Sequence, residues 1–166
     1  DGMEVCELLD KGLIDFGLVF DHVDRAKYNA LPVPYRDVWG VLMRRDSPLA
    51  EKTAVRPEDL IHAPLLVSRQ VLKGPLLPEW FGIGVEQLNI AGTYTLAFNG
   101  SLMVEDGMGY ALCLDRIINV AGEGALCFRP LEPRREAGMH IVWKKYQVFS
   151  PAAERYLQLL REGGDV

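Results

Sequence analysis

Two short polar segments carry the residue types best suited to holding a ligand. Thr93-Tyr94-Thr95 offers three hydroxyls and the backbone N–H groups of a turn. Ser68-Arg69 offers a hydroxyl beside a guanidinium, whose planar fork matches a carboxylate or phosphate. Each follows an apolar run that reads as a strand, through Leu88, Ile90 and Ala91 for the first and Pro64 to Val67 for the second. Residues at helical spacing follow the threonines. Hydroxyls between a strand end and a helix start favour an anion, because the helix N-terminus presents unpaired N–H groups and partial positive charge. The plainer readings are a threonine that caps its helix and a solvated arginine beside a surface acid. Phe20 closes another apolar strand in the equivalent place, as ligand wall or as core.

Other combinations carry less chemistry. Asp21-His22-x-Asp24 has metal-ligand residue types, but no second His or Cys group joins it, and His62 and His140 are dispersed. It reads as a solvated loop. Gly107-x-Gly109 and Gly82-x-Gly84 lack the third glycine of a dinucleotide fingerprint, since Leu112 and Gln87 stand there. Ser101, Cys113 and the three histidines form no nucleophile motif such as G-x-S-x-G, and Glu105-Asp106 diverge at a helix end. The reading is a binding module rather than an enzyme, with no metal and no cofactor.

The elements that must position these residues centre on Leu88–Leu114: a strand, a turn at Gly92–Thr95, a helix to Asp106, a left-handed Gly107, and a buried strand Tyr110–Leu114. Before it come a helix carrying Val5, Leu8 and Leu9, a buried strand Ile14–Phe20 ending at Asp21, extended Leu31–Pro34 and a strand Val38–Met43. A helical turn opens at Pro57, and a short helix carries Trp80 and Phe81. After it come a loop Asn119–Gly124, strands Leu126–Leu131 and Met139–Trp143, and a helix capped by Ser150-Pro151. Strands alternating with helices predict an α/β fold with mostly parallel sheets. Crossings near Arg44–Glu51 and Leu131–Gly138 predict two lobes, residues 1–44 with 134–166 and residues 45–133.

The chain has 166 residues and a net charge of −5, which argues against gripping nucleic acid by itself, since phosphate neutralisation needs clustered Lys and Arg. Cys6, Cys113 and Cys127 are too few and scattered for a disulfide framework and read as reduced core residues of a cytoplasmic protein. No apolar run reaches membrane-spanning length. The opening DGMEVCELLDKG already looks helical, so a larger parent protein is expected.

Taken together, several segments resemble the effector-binding domain of LysR-type transcriptional regulators. They are E-x-x-x-x-L-D-K-G-x-I-D-F-G-L-V at Glu4–Val19, W-G-V-L-M-R-R-D-S-P-L-A at Trp39–Ala50, P-E-D-L at Pro57–Leu60, the strand with S-R at Leu65–Arg69, V-E-D-G-M-G-Y-A-L at Val104–Leu112, and the closing strand and helix at Ile141–Leu160. The resemblance covers nearly the whole chain. It implies a two-lobed, type II periplasmic-binding-protein-like α/β fold with two crossover connections and a small-molecule effector, expected to be a carboxylate, between the lobes. It implies homo-oligomers built from lobe I to lobe II contacts, and DNA contact only through an N-terminal domain that this sequence does not show. The opening strand–helix–strand of lobe I is likewise not seen. The site residues carried by this reading are Thr93, Tyr94, Thr95, Ser68, Arg69 and Phe20. The rival reading is a solute-binding protein or a prephenate-dehydratase-like module of similar architecture.

Overall fold

The computed structural model describes residues 2–20 and 23–163. Their elements, in chain order, are α1 (Gly2–Asp10), β1 (Gly17–Phe20), β2 (Tyr28–Arg44), α2 (Pro57–Leu60), β3 (Leu65–Ser68), α3 (Arg69–Lys73), α4 (Leu76–Phe81), β4 (Ile90–Tyr94), α5 (Ala97–Glu105), β5 (Tyr110–Leu114), β6 (Leu126–Pro130), β7 (Glu136–Lys144) and α6 (Pro151–Glu162). The chain forms two compact units: residues 1–36 with 137–166, and residues 37–136. It passes from one to the other inside β2 and inside β7, whereas the proline and charge clusters of the sequence point to 44/45 and 133/134.

In unit 1, β1 runs antiparallel to β7, with Phe20 opposite Met139. Leu9, Val19, Tyr28 and Val142 form its buried centre, so α1 lies on the sheet through the residue its apolar spacing brings round. Phe16 adds a ring cluster, stacked on Phe149 at 5.1 Å and edge-on to Tyr156 at 5.2 Å. The strand expected over Ile14–Phe20 is shorter, beginning at Gly17, and Leu18 is exposed, so it is half-buried rather than buried. Asp21 and His22, the expected strand end and the start of the Asp-His-x-Asp group, lie outside the described residues.

Unit 2 orders its strands β6-β2-β5-β3-β4, antiparallel where β2 meets β5 and β6, parallel where β3 meets β5 and β4. The strand alternation assigns the two faces. Val41, Met43, Leu65, Val67 and Leu112 join Leu60, Leu77, Trp80 and Phe81 of the α2 and α4 side. Leu42, Leu66, Ala111 and Cys113 join Tyr94 and Val104 on the α5 side. Strands buried on both faces explain the unbroken apolar runs LLV and YALCL. Each fully buried Leu among them contributes about 1.5–3 kcal/mol.

Two expectations about boundaries change here. Leu31–Pro34 and Val38–Met43 are one continuous 17-residue strand, because Pro32 and Pro34 stand at exposed positions where a missing N–H costs the ladder little. Gly92, Thr93 and Tyr94 belong to β4 rather than to a turn, and the helix begins only at Ala97. At Gly92 an added Cβ would stand 2.7 Å from Cε of Met103 in α5 and 3.1 Å from Leu66, so the flexible end of Met103 would have to move aside. The far end of α5 behaves as its sequence indicates. Gly107 takes φ +78°, its N–H donates to Val104 O, and Met108 N–H donates to Met103 O, which satisfies the last carbonyls.

Candidate functional site

The parallel register of β3 and β4 decides which polar residues meet. Val67 stands opposite Thr93 and Ser68 opposite Tyr94, so the carboxyl ends of two neighbouring strands finish side by side. The chain leaves β3 into α3 through Ser68-Arg69 and leaves β4 into α5 through Thr95-Leu96. In open α/β sheets this is where ligands sit. The structure thus brings Ser68, Arg69, Thr93 and Thr95 to one end of unit 2. Phe20 stands in unit 1, half-buried at the end of β1, and belongs to a different structural unit.

The side chains differ in what they still have to offer. Ser68 is the N-cap of α3: its Oγ accepts the Val71 N–H at 3.1 Å, which leaves its own hydroxyl proton to donate. Arg69 is exposed and has no hydrogen-bond or ion-pair partner among the described residues. Thr93 and Thr95 are exposed, with Thr93 alternating away from the covered neighbours Gly92 and Tyr94. Tyr94 departs from expectation. It is buried, its hydroxyl donates to Leu112 O of β5 at 2.7 Å, and burial pushes its phenol above the ordinary tyrosine range. Its ring lies against Gly100, where a Cβ would approach ring carbons to 2.9 Å. The hydroxyl expected to face a ligand instead ties β4 to β5, and Tyr94 acts here as the residue that fixes where its threonine neighbours stand.

The start of α5 is open. Its N-cap is Leu96, which makes no side-chain cap bond, and no acidic residue stands in the first turn. A capping threonine, the plain reading of Thr93–Thr95, is therefore not what the chain does. The first-turn N–H groups and the positive end of a nine-residue helix thus lack a side-chain cap, and two exposed threonines closely precede them in the chain. Asn99, exposed in that first turn, joins the candidate donors. It escapes a sequence reading because the helix is expected one residue early, straight after a turn at Gly92–Thr95; the apolar Leu96 at the cap is the available signal.

Catalytic chemistry is not assembled here. Ser101 is buried and donates to Phe98 O at 2.7 Å within its own helix. Burial pushes the Cys113 thiol up to about 12, which keeps it protonated and poorly nucleophilic. Among the described residues no three His, Cys, Asp or Glu side chains come together as metal ligands, and no helix is long and apolar enough to cross a membrane.

Comparison with known proteins identifies the family and the fold. Residues 1–165 match the LysR substrate binding domain family. The uncharacterised HTH-type transcriptional regulator YvbU of Bacillus subtilis (strain 168) is 24% identical over 162 residues, which is 96% of this chain and 53% of that protein. Among solved structures, the effector binding domain of QuiR in complex with shikimate superposes with a TM-score of 0.81 at 15% identity, covering 98% of this chain and 77% of that one. HinK, a LysR family transcriptional regulator from Pseudomonas aeruginosa, superposes with a TM-score of 0.72 at 18% identity, over 98% of this chain and 57% of its own. The chain thus spans about half the length of YvbU and somewhat more than half of HinK.

Proposed function

The chain belongs to the LysR substrate binding domain family, with its type II periplasmic-binding-protein-like α/β fold, and on that premise we propose that it senses a small carboxylate for a cytoplasmic transcription regulator. Ser68, Arg69, Thr93 and Thr95 hold the anion with the N–H groups at the start of α5. The observation that carries this reading is the uncapped α5 N-terminus beside two threonines and an arginine without a partner among the described residues, at the joined ends of two parallel strands. An exposed helix end favours an anion by about 0.3–1 kcal/mol. A charge-assisted hydrogen bond from Arg69 adds about 1.5–3 kcal/mol. Micromolar binding needs about 8 kcal/mol, so apolar contacts with the ligand body supply the remainder. Shikimate bound to the QuiR domain is in keeping with a small anionic occupant.

The parent regulator, rather than this domain, contacts DNA, as the net charge of −5 favours. Copies associate through the outward face of α5, where Leu96, Phe98 and Leu102 are 61%, 64% and 46% exposed, against unit 1 of a second copy. The test is Thr93→Val with Arg69→Ala in the full-length regulator. The expected result is loss of the inducer response with operator binding intact. A normal response would remove these residues from the site.

A further inference from the structure

We propose that unit 1 carries a second small-molecule site, for a small organic anion with an apolar body, in the pocket of about 440 Å³ between the start of β2, the end of β7 and α6. This goes beyond the reading above and does not rest on it. Three lining side chains are cationic (Arg25, Lys145 and Arg161), and none of the described lining residues is acidic, in a chain whose net charge is −5. None of the three pairs with a carboxylate among the described residues.

Their positions are fixed by neutral partners instead. Arg25 Nη1 donates to Ala30 O at 3.2 Å, and the Arg161 guanidinium carbon lies 5.7 Å from the centre of the Trp143 ring. Lys145 N–H donates to Lys27 O, which ties the end of β7 to the approach to β2. Contacts of this kind orient a cation without neutralising it, so the charges stay available to a ligand. Beneath them part of the wall is apolar, beside the polar Asn29. Tyr28 and Trp143 are buried and Leu31 half-buried. The Tyr28 hydroxyl is engaged elsewhere, donating to Asp10 Oδ1 at 2.9 Å, so its ring offers hydrocarbon to the pocket. Cationic side chains over an apolar wall, in a volume ordinary for ligand pockets, select an anionic head on a hydrophobic body.

The test is a two-dimensional amide NMR titration of this chain with 2-naphthoate, its neutral isostere 2-naphthamide, and inorganic phosphate. The site is supported if naphthoate moves the amides of residues 29–31 and 145 and the Trp143 indole, with both other probes about tenfold weaker or more. Lys145→Gln with Arg161→Gln should weaken naphthoate by at least about tenfold while the spectrum stays that of a folded protein. Thr93→Val with Arg69→Ala should leave these shifts unchanged, which separates this site from the one in unit 2. Naphthamide binding as tightly as naphthoate would overturn the role of charge, and phosphate binding as tightly would overturn the apolar wall. No shifts in unit 1, or shifts abolished by the unit 2 variant, would overturn the site itself.

Discussion

The starts of α5 and α6 differ in each feature that settles a helix end. At α6, Ser150 accepts the Ala153 N–H at 3.2 Å, Pro151 fills a position that needs no N–H, and Glu154 places negative charge in the first turn. That end is complete within itself, and it anchors a helix that buries Ala153 and Leu157 in unit 1. At α5, an exposed leucine stands at the cap, no acid follows, and threonine hydroxyls stand just before the opening turn. One end is closed by its own side chains and serves stability. The other leaves its first-turn N–H groups without a side-chain cap, and it is the end on which the proposed anion site rests.

The contrast can be broken at its foundation first. Leu66 is fully buried beneath α5 and touches the position of Gly92, so Leu66→Ala should cost about 2–5 kcal/mol and loosen β4 and α5 together. Urea unfolding gives the first effect and amide exchange in α5 the second. A loss below about 1 kcal/mol would mean that the α5 side of the sheet is not the tight support described. Next, Ser150→Ala should cost about 1 kcal/mol through the lost cap of α6 and leave ligand binding in unit 2 unchanged. The reciprocal change, Leu96→Asp, gives α5 the cap it lacks. It should stabilise the protein by about 0.5–1 kcal/mol while weakening anion binding, since the new carboxylate competes for the same N–H groups. A stabilised variant that binds as before would separate the open helix end from function.

A third helix start sharpens the comparison by pH. Asp59 at the start of α2 bonds Lys52 Nζ and accepts the Arg56 N–H at 3.0 Å, and these bonds hold its carboxyl below the usual value of 3.8. A folded-state pKa that is depressed gives stability that is present above pH 3.8 and lost as pH falls through the lower folded value. Asp59→Asn should therefore destabilise at neutral pH, by less than about 1 kcal/mol for so solvent-near a pair, and the gap should close in acid. Denaturation midpoints of both proteins across that range check it; a gap that persists unchanged would assign the effect to shape rather than charge.

These helix ends also mark where the sequence was legible. Ser150-Pro151, Pro57 and Gly107 act through local geometry, and local geometry is visible in neighbouring residues. The doubly buried runs at Leu65–Val67 and Tyr110–Leu114 were readable for a related reason, since apolar residues on both faces leave no alternation to misread. Long-range roles were hidden. Gly92 has the residue type of a turn, yet it stands inside β4 with the end of Met103 from another element packed close to it. Tyr94 has a ligand-like hydroxyl that a strand eighteen residues later engages. The prolines of β2 suggest a break that an exposed stretch of strand tolerates. Hence the strand–helix alternation and the adjoining of Ser68–Arg69 with Thr93–Thr95 at neighbouring strand ends could be expected, while which of those side chains stay exposed depended on packing.

The most direct measurement is an amide NMR titration of this chain with a panel of small carboxylates that includes shikimate. At least one of them should give saturable shifts concentrated at residues 68–70 and 93–99, reduced by Thr93→Val with Arg69→Ala and by Leu96→Asp. Saturable binding that leaves those amides unmoved, or that survives both variants at full affinity, would contradict the proposed anion site.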